Sequence, residues 1–256
     1  MKKLEITILG SGTSQGVPVI ACNCNVCTSL NALDKRLRSS VMITVDDKNY
    51  VIDAGPDFRQ QMLRENVQSL EAVIFTHEHK DHISGLDDVR AFNFKQNKYM
   101  DIYCSKNVGF ALKREYHYAF SEDKYPGIPL LNILEVTNNE FKINDISFTP
   151  IEVYHYKMPV FGFRIGDFAY ITDAKTISLK EKEKVKGLKV LIVNALQEGQ
   201  HISHFNLAEA LEFISEVKPE KAYLTHISHL FGKYDEIQNK LPENVFLAHD
   251  GLKIHL

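Results

Sequence analysis

The sequence predicts an α/β fold in which two β-sheets pack together with helices outside. Three observations carry this expectation. Strand and helix patterns fall into two runs along the chain, the arrangement that two sheets with outer helices require. Three strands end in threonine followed by a metal-ligand residue type, as Thr76-His77, Thr172-Asp173 and Thr225-His226. Strand ends along one edge of a sheet can converge on one site. Finally, 44% of the 256 residues are hydrophobic, which supplies a sizeable core, and no linker or shift in composition marks a boundary. Residues 1–256 are therefore expected to form a single domain, although the two halves share no repeat.

Charge and composition narrow the function. The net charge is −3, which argues against a dedicated nucleic-acid surface. The start Met1-Lys2-Lys3 is basic, but the apolar stretch behind it, Leu4 to Leu9, is broken by Glu5 and Thr7 and is too short for a signal peptide. No run approaches the length needed to span a membrane. The expectation is a cytoplasmic enzyme with no membrane partner. The four cysteines then suggest metal binding or buried thiols rather than disulfides.

In chain order, Leu4 to Leu9 alternates and reads as a strand. Gly10-Ser11-Gly12-Thr13-Ser14-Gln15-Gly16-Val17-Pro18 follows as a glycine-rich loop. It is either a tight turn or a phosphate cradle, although the spacing is not that of a P-loop and no Gly-Lys-Ser/Thr follows. Cys22, Cys24 and Cys27 form C-x-C-x2-C. Three thiolates at this spacing can fill three corners of a zinc tetrahedron, with a fourth ligand from elsewhere. Free or redox-paired thiols are the alternative. Val41 to Val45 and Tyr50 to Ile52 flank Asp46-Asp47-Lys48-Asn49 as a hairpin. Asp53 ends the second strand, either as a turn residue or as a carboxylate holding a ligand histidine. Pro56 to Glu65 reads as a helix with proline in its first turn.

Ala72-Val73-Ile74-Phe75 is a short buried strand, and after it comes His77-Glu78-His79-Lys80-Asp81-His82. Three histidines and an aspartate within six residues are ligand types for zinc, manganese or iron. A rigid strand aims the first and the loop folds the others back. His77 and His79 can face one metal, Asp81 and His82 a second. Ser84 to Phe94 and Ser105 to Tyr116 read as helices, the latter capped by Ser105. Met100 to Tyr103 is a strand, and Cys104 behind it reads as a buried small hydrophobe. The aromatic and proline-rich segment 116–129 is either a lid or a loop pinned to the core by its rings.

Phe141 to Ile143 and Ile146 to Val153 pair through Asn144-Asp145 and lead to Tyr154-His155. Phe161 to Ile165 and Phe168 to Ile171 pair through Gly166-Asp167 and lead to Thr172-Asp173. Lys180 to Lys189 reads as a solvated helix face and Lys189 to Val193 as a strand. Leu207, Ala210, Leu211, Ile214 and Val217 share one helical face, stopped by Pro219. Ala222 to Leu224 is a strand leading to Thr225-His226. A helix over Lys233 to Lys240 and strands near Val245 to Leu247 and Leu252 to His255 close the chain.

The His77–His82 stretch resembles the signature of the metallo-β-lactamase fold superfamily of metal-dependent hydrolases. The resemblance implies a four-layer αβ/βα sandwich, two mixed sheets flanked by helices. It also implies two divalent ions (zinc, manganese or iron), with His77, His79 and His155 on one, Asp81, His82 and His226 on the other, and Asp173 bridging. Two such ions roughly 3.5–4 Å apart would hold a hydroxide that attacks phosphorus in line. His79 stands where flavodiiron relatives carry glutamate, so the chain looks hydrolytic. The loop 10–18 with Cys22, Cys24 and Cys27 is similar to the phosphoribosyl cyclic phosphodiesterase-like group. There, three cysteines and a histidine three residues past the last active-site histidine bind a structural zinc, and His229 occupies that place here. His204, before the helix from Asn206, is similar to the non-ligand catalytic histidine of phosphodiesterase and tRNA 3′-processing branches, with Asn206 in place of the usual serine. Asp81 and His204 are thus the catalytic candidates, and His201 is the runner-up to His204. The implied activity is hydrolysis of a small cyclic phosphodiester or nucleotide. The alternatives are an RNA-processing nuclease of the tRNA 3′-endonuclease type or a non-catalytic metal-binding module. The partner expected is a small phosphodiester rather than nucleic acid, and a homodimer is compatible with the sequence.

Overall fold

A computed structural model describes residues 3–123 and 125–256. The basic start Met1-Lys2 and Lys124 of the 116–129 segment lie outside the described residues. The chain divides into two compact units. One comprises Met1–Gly10, Ser40–Thr137 and Gly251–Leu256, the other Ser11–Ser39 and Asn138–Asp250.

The first unit holds a mixed sheet of β1 (Leu4–Gly10), β2 (Ser40–Val45), β3 (Lys48–Ile52), β4 (Ala72–Ile74), β5 (Met100–Cys104) and β6 (Leu131–Glu135), in that spatial order. The C-terminal strand Lys253–His255 pairs with β1 at the edge. β1 to β3 are antiparallel neighbours, whereas β3 to β6 run parallel. The β2–β3 turn is made by Asp46 and Asp47 alone, both left-handed at φ 50° and 61°. Aspartate tolerates that region, and the geometry matches the twist of a two-residue hairpin. β6 has no counterpart in the sequence reading. Its burial pattern shows no clean alternation, and its partner β5 is what fixes it as a strand.

Helices of this unit are shorter than expected. α1 covers Phe58–Arg64, not Pro56 to Glu65, because Phe58 N–H closes a turn onto Gly55 C=O that holds Pro56 and Asp57 outside the helix. The expected helix Ser84 to Phe94 is instead a 3₁₀ turn, Leu86–Val89, followed by α3 (Arg90–Gln96), and a separate one-turn α2 (Lys80–Ile83) precedes it. The break lies at Gly85, whose N–H donates to Ala54 C=O and where a Cβ would fall 1.9 Å from the Gly55 carbonyl oxygen. Only glycine allows this approach. α4 (Lys106–Glu115) starts as predicted, with the Ser105 hydroxyl accepting from Val108 N–H. α5 (His117–Phe120) follows at once. Tyr116 donates its hydroxyl to Ile83 C=O at 2.7 Å and Tyr118 donates to the Asp87 carboxylate, so the start of segment 116–129 is pinned by its rings. The core gathers Phe58, Phe75, Leu86, Val89, Ile102 and Leu112.

The second unit holds β7 (Phe141–Ile143), β8 (Ile146–His155), β9 (Met158–Ile165), β10 (Phe168–Ile171), β11 (Thr176–Ile177), β12 (Val190–Asn194), β13 (Lys221–Thr225) and β14 (Val245–Leu247). The order is β11-β8-β9-β10-β12-β13-β14, with β7 also on β8. β8 to β10 are antiparallel, and β10, β12, β13 and β14 are parallel. Register aligns Ile171 with Val193 and Asn194 with Thr225, so the strand ends carrying Asp173 and His226 lie level. α6 (Leu179–Glu183) is only half the expected charged helix, because Val185 and Leu188 turn into the core and Gly187 is left-handed at φ 69°. α7 (Leu207–Val217) opens with a reciprocal capping box between Asn206 and Glu209, which explains why asparagine serves in place of serine. α8 covers Tyr234–Gln238, within the expected 233–240. Among the described residues no helix is long and apolar enough to cross a membrane.

Candidate metal centres

In the first unit, β4 delivers His77 and the chain then turns into α2, with His79 at its N-cap and Asp81 and His82 in its first turn. The rings of His77 and His79 lie 4.7 Å apart and those of His77 and His82 4.2 Å apart. Asp81 Oδ2 is 3.1 Å from His82 Nε2. His77 and His82 are buried, Asp81 half-buried and His79 exposed. Asp53 braces the group. Its carboxylate accepts from Thr76 N–H at 2.9 Å and from the Thr76 hydroxyl, and it pairs with His82 Nδ1 at 2.7 Å. Burial pushes the Asp53 carboxyl up, opposed by His82 and Thr76. A carboxylate on Nδ1 fixes the tautomer and turns Nε2 outward as a ligand atom. Asp53 itself is left-handed at φ 67°. It therefore acts by holding a histidine rather than as a plain turn residue.

In the second unit, β8 ends on His155, while Asp173 and His226 follow β10 and β13 by two residues and one. His204 sits in the loop before α7. Asp173 is the hub. Its Oδ1 is 2.8 Å from His204 Nε2 and 3.2 Å from His226 Nε2, and Oδ2 accepts from the Thr172 hydroxyl at 2.7 Å. His155 Nδ1 is 3.3 Å from the Asp173 carbonyl oxygen, and its ring lies 4.4 Å from that of His204. Asp173 and His226 are both left-handed, at φ 57° and 56°, the kind of local strain that gathers at working sites. His201 faces His204, Nδ1 to Nδ1 at 3.2 Å, rather than Asp173. Burial, then His204 and Lys175, hold His201 below the usual histidine value.

Three contributors went unread in the sequence. Asn194 brackets the residue after Asp173, accepting from Ala174 N–H at 2.8 Å and donating to its carbonyl at 3.0 Å. An asparagine ending an apolar strand was the available signal. Thr13 and Ser39 place hydroxyls 3.2 Å from Nε2 and 3.1 Å from Nδ1 of His226. The glycine-rich loop is a turn held largely by its backbone hydrogen bonds. N–H groups of Ser11, Gly12, Thr13, Gly16 and Val17 are all engaged within the protein. At Gly12 a Cβ would meet Arg36 Cβ at 2.9 Å.

Cys22, Cys24, Cys27 and His229 bring their ligand atoms within 4.8 Å of one another. Cys22 Sγ and Cys24 Sγ lie 3.3 and 3.4 Å from His229 Nδ1. The Cys27 N–H and then His229 draw the Cys24 thiol down to about 6, whereas burial pushes Cys27 up to about 11. Three sulfurs and one imidazole are the donor set of a structural zinc site. Cys104 is apart from it, buried in the first unit with its thiol pushed up to about 12, as a small hydrophobe would be. The donor chemistry in the two units, imidazoles with carboxylates, equally fits divalent zinc, manganese or iron. Ligand atoms of His155, Asp173 and His204 all lie within 4.8 Å of one another, which draws His204 closer to the carboxylate than the sequence suggests.

Residues 48–227 match the family model described as the beta-lactamase superfamily domain. The chain belongs to the metallo-β-lactamase superfamily, a family of metal-dependent hydrolases. It is similar to a solved diphosphatase from the PhnP family, at 36% identity and a TM-score of 0.94, covering 100% of this chain and 98% of that one. With it the chain shares the predicted α/β class of two mixed sheets flanked by helices. Zinc-bound PqqB from Methylobacterium extorquens shares the fold at 17% identity and a TM-score of 0.80, covering 98% of this chain and 100% of that one. An octanoyltransferase of Porphyromonas gingivalis is 38% identical over 253 residues, which is 98% of this chain. The chain spans about half of that relative, 51% of its length.

Proposed function

We propose that this protein is a dinuclear phosphoric diester hydrolase acting on a small phosphodiester or nucleotide. The observation that carries the reading is the convergence of His204 and His226 on the Asp173 carboxylate, with His155 beside it. The similarity to a diphosphatase supports phosphoryl chemistry in particular. In this reading His77, His79 and His155 would hold one ion and Asp81, His82 and His226 a second, with Asp173 a ligand common to both. Bound there, the ions supply Lewis-acid charge and lower the pKa of water. The chain's own residues do the rest. Asp53 fixes the His82 ring through Nδ1, and Thr13 and Ser39 fix that of His226. His204 presents Nε2 at the Asp173 carboxylate, where a proton can be held for a departing alkoxide. The test is a panel of cyclic and linear phosphodiesters, a pyrophosphate ester, an RNA precursor and an octanoyl thioester, run with metal analysis. Hydrolysis of bis-p-nitrophenyl phosphate and a small diester is expected. Thioester turnover with silent phosphoesters would overturn the reading and favour the acyl chemistry named for the longer relative.

The cysteine cluster is proposed as a structural zinc site, since four protein ligands leave no open position. Cys24→Ser is expected to lose one tightly held metal and to lower Tm by at least about 5 °C, with turnover per folded molecule changed less. Unchanged metal content by elemental analysis in both Cys24→Ser and His229→Ala would remove the site.

A further inference from the structure

The hairpin between β8 and β9 is closed by two residues, Tyr156 and Lys157, with His155 paired to Met158 beneath them. Tyr156 is left-handed at φ 56°. That conformation suits glycine, asparagine or aspartate at the first position of such a turn and costs a bulky residue free energy. Elsewhere in the chain it falls mainly on aspartate and asparagine, as at Asp46, Asp47, Asn66, Asn97 and Asn144, and on no other tyrosine or phenylalanine among the described residues. Burial does not compensate for it, because the Tyr156 side chain is 54% exposed. Its ring is met by Lys157 Nζ at 5.3 Å from the centroid. At this exposure the cation–π contact offsets only part of the strain that glycine would avoid. The residue lies immediately after His155, whose ring contacts His204, and two residues before His204 stands Ile202, 68% exposed. Two large apolar side chains thus stand in solvent on the chain segments that bring His155 and His204 to Asp173.

Resting on the phosphodiesterase reading, we propose that Tyr156, with Ile202, is the platform on which the organic group of the substrate lies. Its face stacks on a nucleobase or comparable planar ring, and Lys157 adds positive charge beside it. The substrate class is a phosphodiester carrying a nucleoside-like group rather than a bare alkyl ester. Stacking of a base on an aromatic side chain is worth about tenfold or more in affinity and tolerates any base. The strain at Tyr156 is then retained for binding and not for stability.

The test compares wild type, Tyr156→Gly and Tyr156→Phe on thymidine 5′-(p-nitrophenyl phosphate) and methyl p-nitrophenyl phosphate, which share a leaving group and a charge. Wild type is expected to prefer the thymidine ester. Tyr156→Gly should reduce that preference about tenfold, chiefly through KM, while Tyr156→Phe keeps it. Tm of the glycine variant should hold or rise by about 2–4 °C as the turn relaxes. An unchanged preference in Tyr156→Gly would overturn the platform, as would a fall in Tm with equal losses on both esters. If wild type turns over neither ester, the phosphodiesterase reading fails. Calorimetric titration then decides the platform separately. Thymidine 5′-phosphate bound more tightly than inorganic phosphate, with the difference lost in Tyr156→Gly, supports it, and equal binding of the two overturns it.

Discussion

Asp173→Ala is expected to lose at least one of the two exchangeable metals and to lower turnover of bis-p-nitrophenyl phosphate by at least about a thousandfold. The size follows from what one carboxylate does. Its two oxygens meet His204, His226 and Thr172, so one side chain touches both the proposed ligand His226 and the proposed proton donor His204. Metal charge stabilises a phosphoryl transition state by several kcal/mol. At about 1.4 kcal/mol per tenfold, losing most of that costs a thousandfold or more. Removing the side chain also leaves buried histidines without their acceptor, so Asp173→Asn is the companion variant. It keeps the volume and most hydrogen-bonding positions but not the charge. Both variants should show the loss of metal by elemental analysis, whereas only the alanine should lose stability in chelator. Full activity in Asp173→Ala would sink the assignment.

Much of this arrangement was legible because metal chemistry restricts residue types severely. A strand followed by His77-x-His79-x-Asp81-His82 has few meanings, and Thr172-Asp173 and Thr225-His226 do stand at two strand ends of one sheet that lie level. The hydrophobic pattern also placed β1, β8, β10, β12 and α7 closely, because β8 and α7 bury a regular face and β1, β10 and β12 are apolar runs buried almost throughout. What stayed illegible depends on contacts distant in sequence. Gly85 breaks a helix only because the Ala54–Gly55 backbone lies against it. Ser39 and Thr13 matter only because the loop 11–18 and the segment ending at Ser39 lie against His226. Left-handed φ at Asp53, Asp173, His226 and Tyr156 is likewise a tertiary result. Aspartate hints at it, and tyrosine gives no hint at all. The order in which His204 and His201 approach the carboxylate was not readable either, since both histidines stand in one short loop. Distance separates them, with His204 Nε2 on Asp173 and His201 one ring further out.

His204→Ala should therefore retain the metals and the fold yet lower turnover of an alkyl phosphodiester by at least about a hundredfold. That is the lower end of what a positioned acid or base contributes. A phosphodiester's departing alkoxide needs a proton or a donor to steady its charge, and an imidazole nitrogen placed at the site can supply either. The simpler alternative is that His204 only orients Asp173 through the 2.8 Å contact, or packs between His155 and His226, whose rings lie 4.4 and 4.9 Å from its own. The two roles differ in their response to the leaving group. A proton donor matters little when the leaving group is p-nitrophenolate, which departs unaided, so the loss should shrink toward unity along a series of increasingly acidic alcohols. An orienting residue acts on Asp173 whatever departs, and its removal would cost the same across the series and lower metal content as well. His204→Gln separates these further, because an amide can still donate to the carboxylate but cannot deliver a proton. It should keep the metals and remain impaired on alkyl esters. Should His204→Ala prove nearly as active as wild type while His201→Ala does not, the catalytic role moves three residues upstream and the Asp173 contact of His204 becomes support for the carboxylate alone.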